Sequence, residues 1–173
     1  LLGSGNDSFT TAGTAEGAIT AIHGGGGADT LTITGNSGPL VIYGDTSQDG
    51  ARYSGTLDDS QEDNANGFNN PGDDIIGASA SNFGLTIYGG PGNDEIHGSQ
   101  GRDNIAGGAG ADKLYGEGGD DILFGDSGIN ANLEARTFQV VTTETAAADT
   151  LDGGEGNDIL LGDHGWITYG GLA

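Results

Sequence analysis

Four nonapeptides follow one another without a gap from Gly89 to Phe124: GGPGNDEIH, GSQGRDNIA, GGAGADKLY and GEGGDDILF. We call each nonapeptide a row and number its places from one to nine. Each row fits the pattern G-G-x-G-x-D-x-U-x, in which U is Ile or Leu in all four rows. A sustained short period of this kind predicts a solenoid, because one repeat cannot bury its single apolar residue without stacking on its neighbours.

The period divides each row into a turn and a strand. Glycines at the first, second and fourth places allow backbone conformations that a Cβ forbids, and they leave carbonyl oxygens accessible. The last three places form a short strand whose apolar residue points inward. Two rows then make one coil, so that turns on the same edge come from rows two apart. Carbonyl and carboxylate oxygens are the ligands that calcium prefers, and the spacing therefore predicts calcium between stacked turns.

The pattern resembles the repeats-in-toxin (RTX) nonapeptide of secreted bacterial proteins, and the resemblance covers most of the chain. It implies an all-β fold, a right-handed parallel β-roll (a β-solenoid) of short strands with Ca²⁺ between the turns. In that family one turn offers oxygens from its second, fourth and sixth places, and the next turn on that edge offers its first, third and sixth. The residues placed face to face are Gly90, Gly92 and Asp94 with Gly107, Ala109 and Asp112, and Ser99, Gly101 and Asp103 with Gly116, Gly118 and Asp121.

Other rows match the nonapeptide pattern less closely, and two of them look interrupted by insertions. LGSGNDSFT, GGGGADTLT and GGEGNDILL each keep the sixth-place Asp. One interrupted row begins at Gly44 and resumes at Gly72, and the other begins at Gly125 and resumes at Asp149. We therefore expect a single β-roll domain over residues 1–173, with loop insertions at about 47–71 and 129–148.

Carrying the family's scheme to every row gives the complete set of candidate calcium ligands. The candidate aspartates are Asp7, Asp29, Asp45, Asp74, Asp94, Asp103, Asp112, Asp121, Asp126, Asp149 and Asp158. The other candidates, most of which would act through main-chain carbonyls, are Gly3, Gly5, Gly24, Gly25, Gly26, Gly27, Gly44, Thr46, Gly72, Gly89, Gly90, Pro91, Gly92, Ser99, Gly101, Gly107, Gly108, Ala109, Gly110, Gly116, Glu117, Gly118, Gly119, Gly125, Ser127, Gly153 and Glu155.

The rows alternate between two edges of the expected roll. The odd edge takes the rows that begin at residues 2, 24, 44, 89, 107, 125 and 162, and the even edge takes those that begin at 13, 35, 77, 98, 116 and 153. The rows that begin at 13, 35 and 77 have no sixth-place Asp. We therefore predict roughly five or six ions on the odd edge and about two on the even edge, roughly seven or eight in all.

Composition supports a metal-dependent fold. The net charge is −22, from 26 acidic against 4 basic residues, so the metal-free chain should be disordered by self-repulsion. Such a surface makes nucleic acid and anionic membranes poor partners, and no apolar run reaches the length of a membrane span. The chain has no Cys, which excludes disulfides and thiolate metal sites. The absence of Met, with an opening LLGSGND, suggests a fragment or a processed piece of a larger protein.

Residues that could support catalysis do not form a recognisable site. His23, His97 and His164 are far apart in the sequence and show no paired zinc spacing. No serine lies in a G-x-S-x-G motif, and no Lys-Ser or Lys-Thr follows the glycine runs. We expect that this chain is not an enzyme.

The insertions and the C-terminal segment leave alternatives open. Asp45–Gly50 and Glu62–Gly67 have acidic calcium-loop spacing, but each also has the composition of a polar surface loop. The second insertion alternates around Phe138 and Val140, which favours a short strand or hairpin lying on the roll. Residues 162–173, with Trp166 and Tyr169, form either a terminal cap or a docking surface for an adjacent domain.

Three functions fit these features. The first is a calcium-dependent structural module of a secreted bacterial protein that folds after export, which in the RTX family accompanies type I secretion. The second is an adhesive or self-assembling cell-surface protein, whose partners would be copies of itself. The third is the non-catalytic RTX domain of a secreted enzyme or toxin, whose partners would be adjacent domains. Calcium-dependent filament formation would favour the second, and the sequence around Leu1 in the parent gene would identify the third.

Overall fold

The computed structural model describes residues 2–14, 16–45, 72–126, 128–132, 137–141 and 146–163. These residues contain β-strands and no helix. The strands are β1 (Ser8–Thr11), β2 (Thr20–His23), β3 (Thr30–Ile33), β4 (Leu40–Tyr43), β5 (Ile75–Gly77), β6 (Thr86–Pro91), β7 (Glu95–His97), β8 (Asn104–Ala109), β9 (Lys113–Tyr115), β10 (Ile122–Phe124), β11 (Gly128–Asn132), β12 (Thr137–Val141), β13 (Thr150–Asp152) and β14 (Ile159–Leu161).

Two parallel six-stranded sheets make up the body of the molecule. The odd sheet has the order β1-β3-β5-β7-β9-β13, and the even sheet has the order β2-β4-β6-β8-β10-β14. Successive strands therefore alternate between the sheets, as expected if each pair of rows forms one coil. The all-β class and the parallel β-roll of short strands predicted from the sequence are confirmed.

The eighth place of each row supplies the core between the two sheets. Pairing in register puts Ile76 beside Ile96 and Ile96 beside Leu114, so like residues stack directly along the sheet. All three side chains are fully buried, as are Ile87 and Ile105 on the even sheet. Each row adds one large apolar residue to a continuous column. The eighth place is therefore apolar from row to row, whereas the residue type varies at the seventh and ninth places.

The register corrects where three rows of the even edge begin. Ala78 donates its N–H to His97 O in the same way as Gly98 donates to Tyr115 O, so Ala78 occupies the first place of its row, not Gly77. By the same pairing, Thr11 and Ile33 hold first places, not Gly13 and Gly35. These rows are longer than nine residues because their turns are not constrained by the glycine and aspartate pattern.

The second insertion contains a hairpin. β11 pairs antiparallel with β12, and β11 lies against β6 and β8 of the even sheet. A short strand or hairpin on the roll was expected here. The first insertion, with the Asp45–Gly50 and Glu62–Gly67 motifs, lies largely outside the described residues, as do Trp166 and Tyr169.

The outer face of the even sheet is apolar and buried, in contrast to that of the odd sheet. Its buried cluster consists of Val41, Tyr43, Tyr88, Ala106, Ile122 and Phe124. On the odd sheet the equivalent outward residues include Glu95 and Lys113, which form an exposed ion pair of 3.2 Å. The even sheet is thus buried on both faces, and β11 lies against its middle strands. Within the described residues, no helix has the length and apolarity needed to cross a membrane.

Candidate calcium sites between stacked turns

A ladder of aspartates runs along the odd edge. The main-chain N–H of each sixth-place Asp donates to Oδ1 of the sixth-place Asp in the next turn on that edge. The ladder comprises Asp7 to Asp29 (2.7 Å), Asp29 to Asp74 (2.7 Å), Asp74 to Asp94 (2.8 Å), Asp94 to Asp112 (2.8 Å) and Asp112 to Asp149 (2.9 Å). One oxygen of each carboxylate therefore fixes the spacing between coils.

The second carboxylate oxygen has no such partner. Oδ2 of Asp29, Asp74, Asp94 and Asp112 is buried and accepts no hydrogen bond in the described part of the chain. Each of these side chains is only 1% exposed. Burying a charged carboxylate oxygen without a hydrogen bond or a counter-ion costs several kcal/mol of folding free energy. Four such oxygens along one edge therefore require either a cation or a proton.

First-place glycines form the wall of each candidate site. A Cβ on Gly89 would lie 2.2 Å from Oδ2 of Asp94 and 2.6 Å from the carbonyl oxygen of Gly107. A Cβ on Gly44 would lie 2.2 Å from Oδ2 of Asp74 and 2.4 Å from Gly89 O. Glycine at this place therefore leaves room for converging carboxylate and carbonyl oxygens, and any larger residue would fill the space.

Glycines at the second and fourth places allow the turns to stack closely. Gly108 and Gly110 have φ of 118° and 139°, in the region that favours glycine. A Cβ on Gly110 would lie 1.6 Å from the carbonyl oxygen of Gly92 in the preceding turn. Gly92 in turn donates its N–H to Ala109 O at 2.8 Å. The turns of Gly90–Asp94 and Gly107–Asp112 are thus adjacent, as the sequence predicted.

The electrostatics of the odd edge disfavour ionised carboxylates without a cation. Burial raises the pKa of Asp94 to about 8, and the neighbouring charges of Asp112 and Asp74 add to the rise against a main-chain hydrogen bond that opposes it. Burial likewise raises the pKa of Asp74 and of Asp112 to about 7. The pKa of Asp29 and that of Asp149 are also raised, again chiefly by burial.

The donor set fits calcium. All the converging atoms are carboxylate or carbonyl oxygens, which are hard ligands, and no sulfur or imidazole nitrogen is among them. Within the described residues no three acidic, His or Cys side chains converge as a metal cluster. That is consistent with turns that would supply two carboxylates and several main-chain carbonyls to each ion. These residues would hold Ca²⁺, which supplies the positive charge that the carboxylates lack.

The even edge has a shorter ladder in its C-terminal half. Leu85 N–H donates to Asp103 Oδ1 at 2.6 Å, Asp103 N–H to Asp121 at 2.7 Å, and Asp121 N–H to Asp158 at 2.9 Å. Burial raises the pKa of Asp121 to about 6, and its Oδ2 is buried without a hydrogen bond.

Asp103 differs from the other sixth-place aspartates. Its Oδ2 accepts from the N–H of Ser99 at 2.6 Å, and the Ser99 hydroxyl contacts both carboxylate oxygens at 2.9 and 3.1 Å. Ser99 thus occupies the second place with a side chain that already satisfies the carboxylate. Burial still raises the pKa of Asp103, to about 7.

Neutral side chains replace the aspartates in the N-terminal half of the even edge. Oγ of Thr14 accepts from the N–H of Gly38 at 3.0 Å and that of Ser37 at 3.2 Å. Asn36 Nδ2 donates to Gly38 O at 3.0 Å, and the Ser81 hydroxyl donates to Asn36 Oδ1. Ser81 is fully buried and Asn36 is 5% exposed. These turns are closed by hydrogen bonds without a carboxylate, as the loss of sixth-place aspartates in the sequence suggested.

The remaining candidates fall into three groups. Thr46 and Ser127 lie outside the described residues. Gly3 and Gly25 form a parallel bridge on the odd edge, and Gly118 and Glu155 form another on the even edge. The turns that contain Gly5, Gly24, Gly26, Gly27, Gly72, Gly101, Gly116, Gly119, Gly125 and Gly153 are stacked in the coils to which the sequence assigned them.

A second ladder was missed in the sequence. At the fifth place, Asn93 donates both its N–H and its Nδ2 to Asp73 Oδ1, at 2.8 and 3.1 Å, and Asn157 does the same to Asp120. Asn93 Oδ1 then accepts from Ala111 N–H at 3.0 Å. The ladder could have been predicted from the recurrence of Asn or Asp at the fifth place, in Asn6, Asp73, Asn93, Asp120 and Asn157.

The comparison with protein families agrees with this geometry. The family model of the RTX calcium-binding nonapeptide repeat matches in four copies, over residues 86–105, 97–130 and 145–166. The comparisons with curated proteins and with solved structures gave no match. The matched residues form a calcium-binding repeat module, of a kind typical of secreted bacterial proteins and hence of an extracellular location. Residues 86–130 and 145–166 are therefore similar to the RTX calcium-binding nonapeptide repeat, the family that the sequence pattern resembles.

Proposed function

We propose that this chain is a calcium-dependent structural module of a secreted bacterial protein, and that it folds when it binds Ca²⁺ after export. The observation that carries the proposal is the row of buried, unpaired Oδ2 atoms along the odd edge, at Asp29, Asp74, Asp94 and Asp112. Several of these carboxyls have pKa values of about 7 or 8 without metal, so the folded state is opposed at neutral pH until a cation enters.

The ions proposed here would lie between consecutive turns of one edge. Each sixth-place Asp contributes to two neighbouring sites, because its turn is stacked between a preceding and a following turn. The ladders support roughly five or six ions on the odd edge and about two on the even edge. Asp103 is the weakest candidate, since Ser99 already satisfies its carboxylate.

Binding of this kind can supply the stability of the whole roll. Calcium at a hundred times the dissociation constant stabilises a folded protein by about 2.7 kcal/mol per site. Several coupled sites therefore reach the 5–15 kcal/mol that is typical of a domain. Extracellular calcium modules bind with dissociation constants of roughly 10⁻⁴–10⁻³ M, far above the free calcium that cytosolic sensors detect. The chain would remain unfolded inside the cell, a state suited to type I secretion, and would fold outside.

Circular dichroism tests the proposal. The chain in excess chelator should give a coil spectrum, and millimolar calcium should convert it cooperatively to a strand spectrum. Magnesium at the same concentration serves as the control, because it prefers a smaller octahedral site and retains its waters. Strand content that is the same in chelator and in calcium would refute calcium-dependent folding.

A further inference from the structure

Among the described residues, Asp103 is the one buried sixth-place aspartate whose Oδ2 accepts hydrogen bonds. Oδ2 of Asp94, Asp112 and Asp121 is equally buried but accepts none. At Asp103 the N–H of Ser99 donates to Oδ2 at 2.6 Å, and the Ser99 hydroxyl contacts Oδ1 and Oδ2 at 2.9 and 3.1 Å. Ser99 thus supplies donors that the other carboxylates lack.

The side chain of Ser99 is held in place by its own turn. Its Oγ accepts from the N–H of Gly101 at 3.0 Å, a local bond from a serine to the main chain two residues on that is common in turns. Oγ lies closer to the Asp103 oxygens than to Gly101 O, which is 3.3 Å away, so its single proton points to the carboxylate. Ser99 is fully buried, so water does not compete for these bonds.

The main chain of Ser99 also departs from its equivalents on the odd edge. There the N–H of a second-place residue donates to the first-place carbonyl of the following turn, as from Gly25 to Gly44 O at 3.2 Å and from Gly108 to Gly125 O at 2.9 Å. The Ser99 N–H instead donates to the carboxylate of its own turn. This turn therefore satisfies its sixth-place carboxylate internally.

The rest of this step matches an ordinary one. A Cβ on Gly98 would lie 2.5 Å from Asp103 Oδ2 and 2.6 Å from Gly116 O, distances like those found at Gly89. The bond from Asp103 N–H to the carboxylate of the next turn is also present, at 2.7 Å. The hydrogen bonds of Ser99 are therefore what distinguishes this step from those of the odd edge.

We propose that Ser99 takes the place of a calcium ion at the step between the turns of Gly98 and Gly116, so that this step holds no calcium when the others are filled. The inference rests on the proposed function, since it assumes that calcium enters the other steps. An ion here would have to displace two hydrogen bonds to a charged group, which lowers its affinity about tenfold or more relative to an ordinary step. The two turns would be joined before calcium binds, and the even edge would hold one ion, between the turns of Gly116 and Gly153.

Equilibrium dialysis at the calcium concentration that just completes folding counts the bound ions and tests the inference. Asp103→Asn should leave the ion count of the wild-type chain unchanged, whereas Asp121→Asn should lower it. Ser99→Gly should raise the count by one, because it removes the hydroxyl and restores the second-place glycine of rows such as Gly89–His97. In the Ser99→Gly chain, Asp103→Asn should then remove the added ion.

Ser37→Gly is the matched control, because Ser37 is an exposed serine in an even-edge turn without a sixth-place aspartate. Its ion count should equal that of the wild-type chain. Loss of an ion on Asp103→Asn in the wild-type chain, or an unchanged count in a folded Ser99→Gly chain, would overturn the inference. If Ser99→Gly does not fold, the comparison of Asp103→Asn with Asp121→Asn decides. A wild-type chain that binds no calcium would instead overturn the proposed function.

Discussion

The two edges of the roll hold their coils together by different means. On the odd edge, the carboxylates from Asp29 to Asp149 each accept from the N–H of the preceding turn through one oxygen and leave a buried second oxygen without a hydrogen bond. In the N-terminal half of the even edge, Thr14, Asn36 and Ser81 close the turns with neutral hydrogen bonds. The rows of these even-edge turns are longer than nine residues, and they have no ladder of buried carboxylates.

The difference shows what calcium contributes. Neutral side chains suffice to join turns in a parallel coil, so the aspartates are not needed for stacking as such. They make stacking conditional, because ionised carboxylates oppose the fold when no cation is present. Under the proposed function, the N-terminal half of the even edge would be a permanent connection, and the odd edge would be a connection that forms with the metal.

Acidification should have the largest effect, since it acts on the whole odd edge at once. The pKa values of Asp74, Asp94 and Asp112 in the metal-free fold, about 7 to 8, lie above the ordinary value of 3.8. Their contribution to stability is therefore fully present below about pH 4 and is lost as the pH rises through 7 to 8. We expect strand signal in chelator to increase as the pH falls from 8 to 4.5, and the calcium midpoint to rise over the same range.

High salt separates this effect from general charge repulsion. The exposed part of the net charge of −22 is screened at 1 M salt, whereas the buried carboxylates are screened much less. A pH dependence that vanishes in high salt would contradict the assignment to the buried ladder.

Part of this contrast could be predicted from the sequence. The sixth-place aspartates and the eighth-place apolar residues determine the coil, the two sheets and the odd-edge ladder, because each has one structural role at a fixed spacing. The starts of the degenerate rows could not be predicted: Thr11, Ile33 and Ala78 hold first places without a glycine to mark them. Turns without metal ligands tolerate extra residues. Their lengths therefore vary, and a fixed spacing cannot locate where these rows begin.

The even sheet's outer face also escaped prediction. Val41, Tyr43 and Phe124 lie at seventh and ninth places, which are outward in an isolated roll, yet they are at most 8% exposed. Long-range packing by β11 lies beyond what a nine-residue pattern can indicate. The hydrogen bonds of Thr14, Asn36 and Ser81 could not be predicted either. The sequence shows only that aspartates are absent from these turns, and Thr, Asn and Ser are also the usual residues of solvated turns.

The substitution Asp94→Asn should have the largest effect of any single change in the ladder. The amide oxygen can still accept from Asp74 N–H, so the coils remain joined, but one charge is lost from two neighbouring sites. We expect the calcium midpoint of folding to rise at least about tenfold and the stoichiometry to fall, with strand content in chelator unchanged or higher. Equilibrium dialysis and circular dichroism measure both.

Asp120→Asn is the charge-matched control for that experiment. Asp120 is exposed at the fifth place, and its acceptor role towards Asn157 survives the change. Its calcium midpoint should stay within about twofold. Equal effects of the two substitutions would mean that net charge, and not the buried ladder, governs binding.

Gly107→Ala should have a smaller effect, because it perturbs a site without removing a charge. The new Cβ would lie 2.2 Å from Asp112 Oδ2, and the carboxylate would have to move. We expect a loss somewhat above the 1–3 kcal/mol of ordinary overpacking at fixed calcium, measured by urea denaturation. Gly77→Ala is the control: its Cβ meets no atom within 4 Å, and it should stabilise β5 by up to about 1 kcal/mol. Equal destabilisation by Gly107→Ala and Gly77→Ala would contradict the close approach of Gly107 to the Asp112 carboxylate.

Ser81→Ala should give the smallest effect and the sharpest distinction between the edges. It leaves Asn36 Oδ1 buried without the Ser81 hydroxyl, which should cost roughly 1–3 kcal/mol in saturating calcium. The number of bound ions should not change, because no carboxylate of the ladder is affected. Ser79→Ala, at an exposed serine nearby, should be almost neutral. A lower calcium stoichiometry in Ser81→Ala, measured by the same dialysis as for Asp94→Asn, would show that the neutral half of the even edge also supports metal binding, and the separation between a permanent and a conditional edge would then fail.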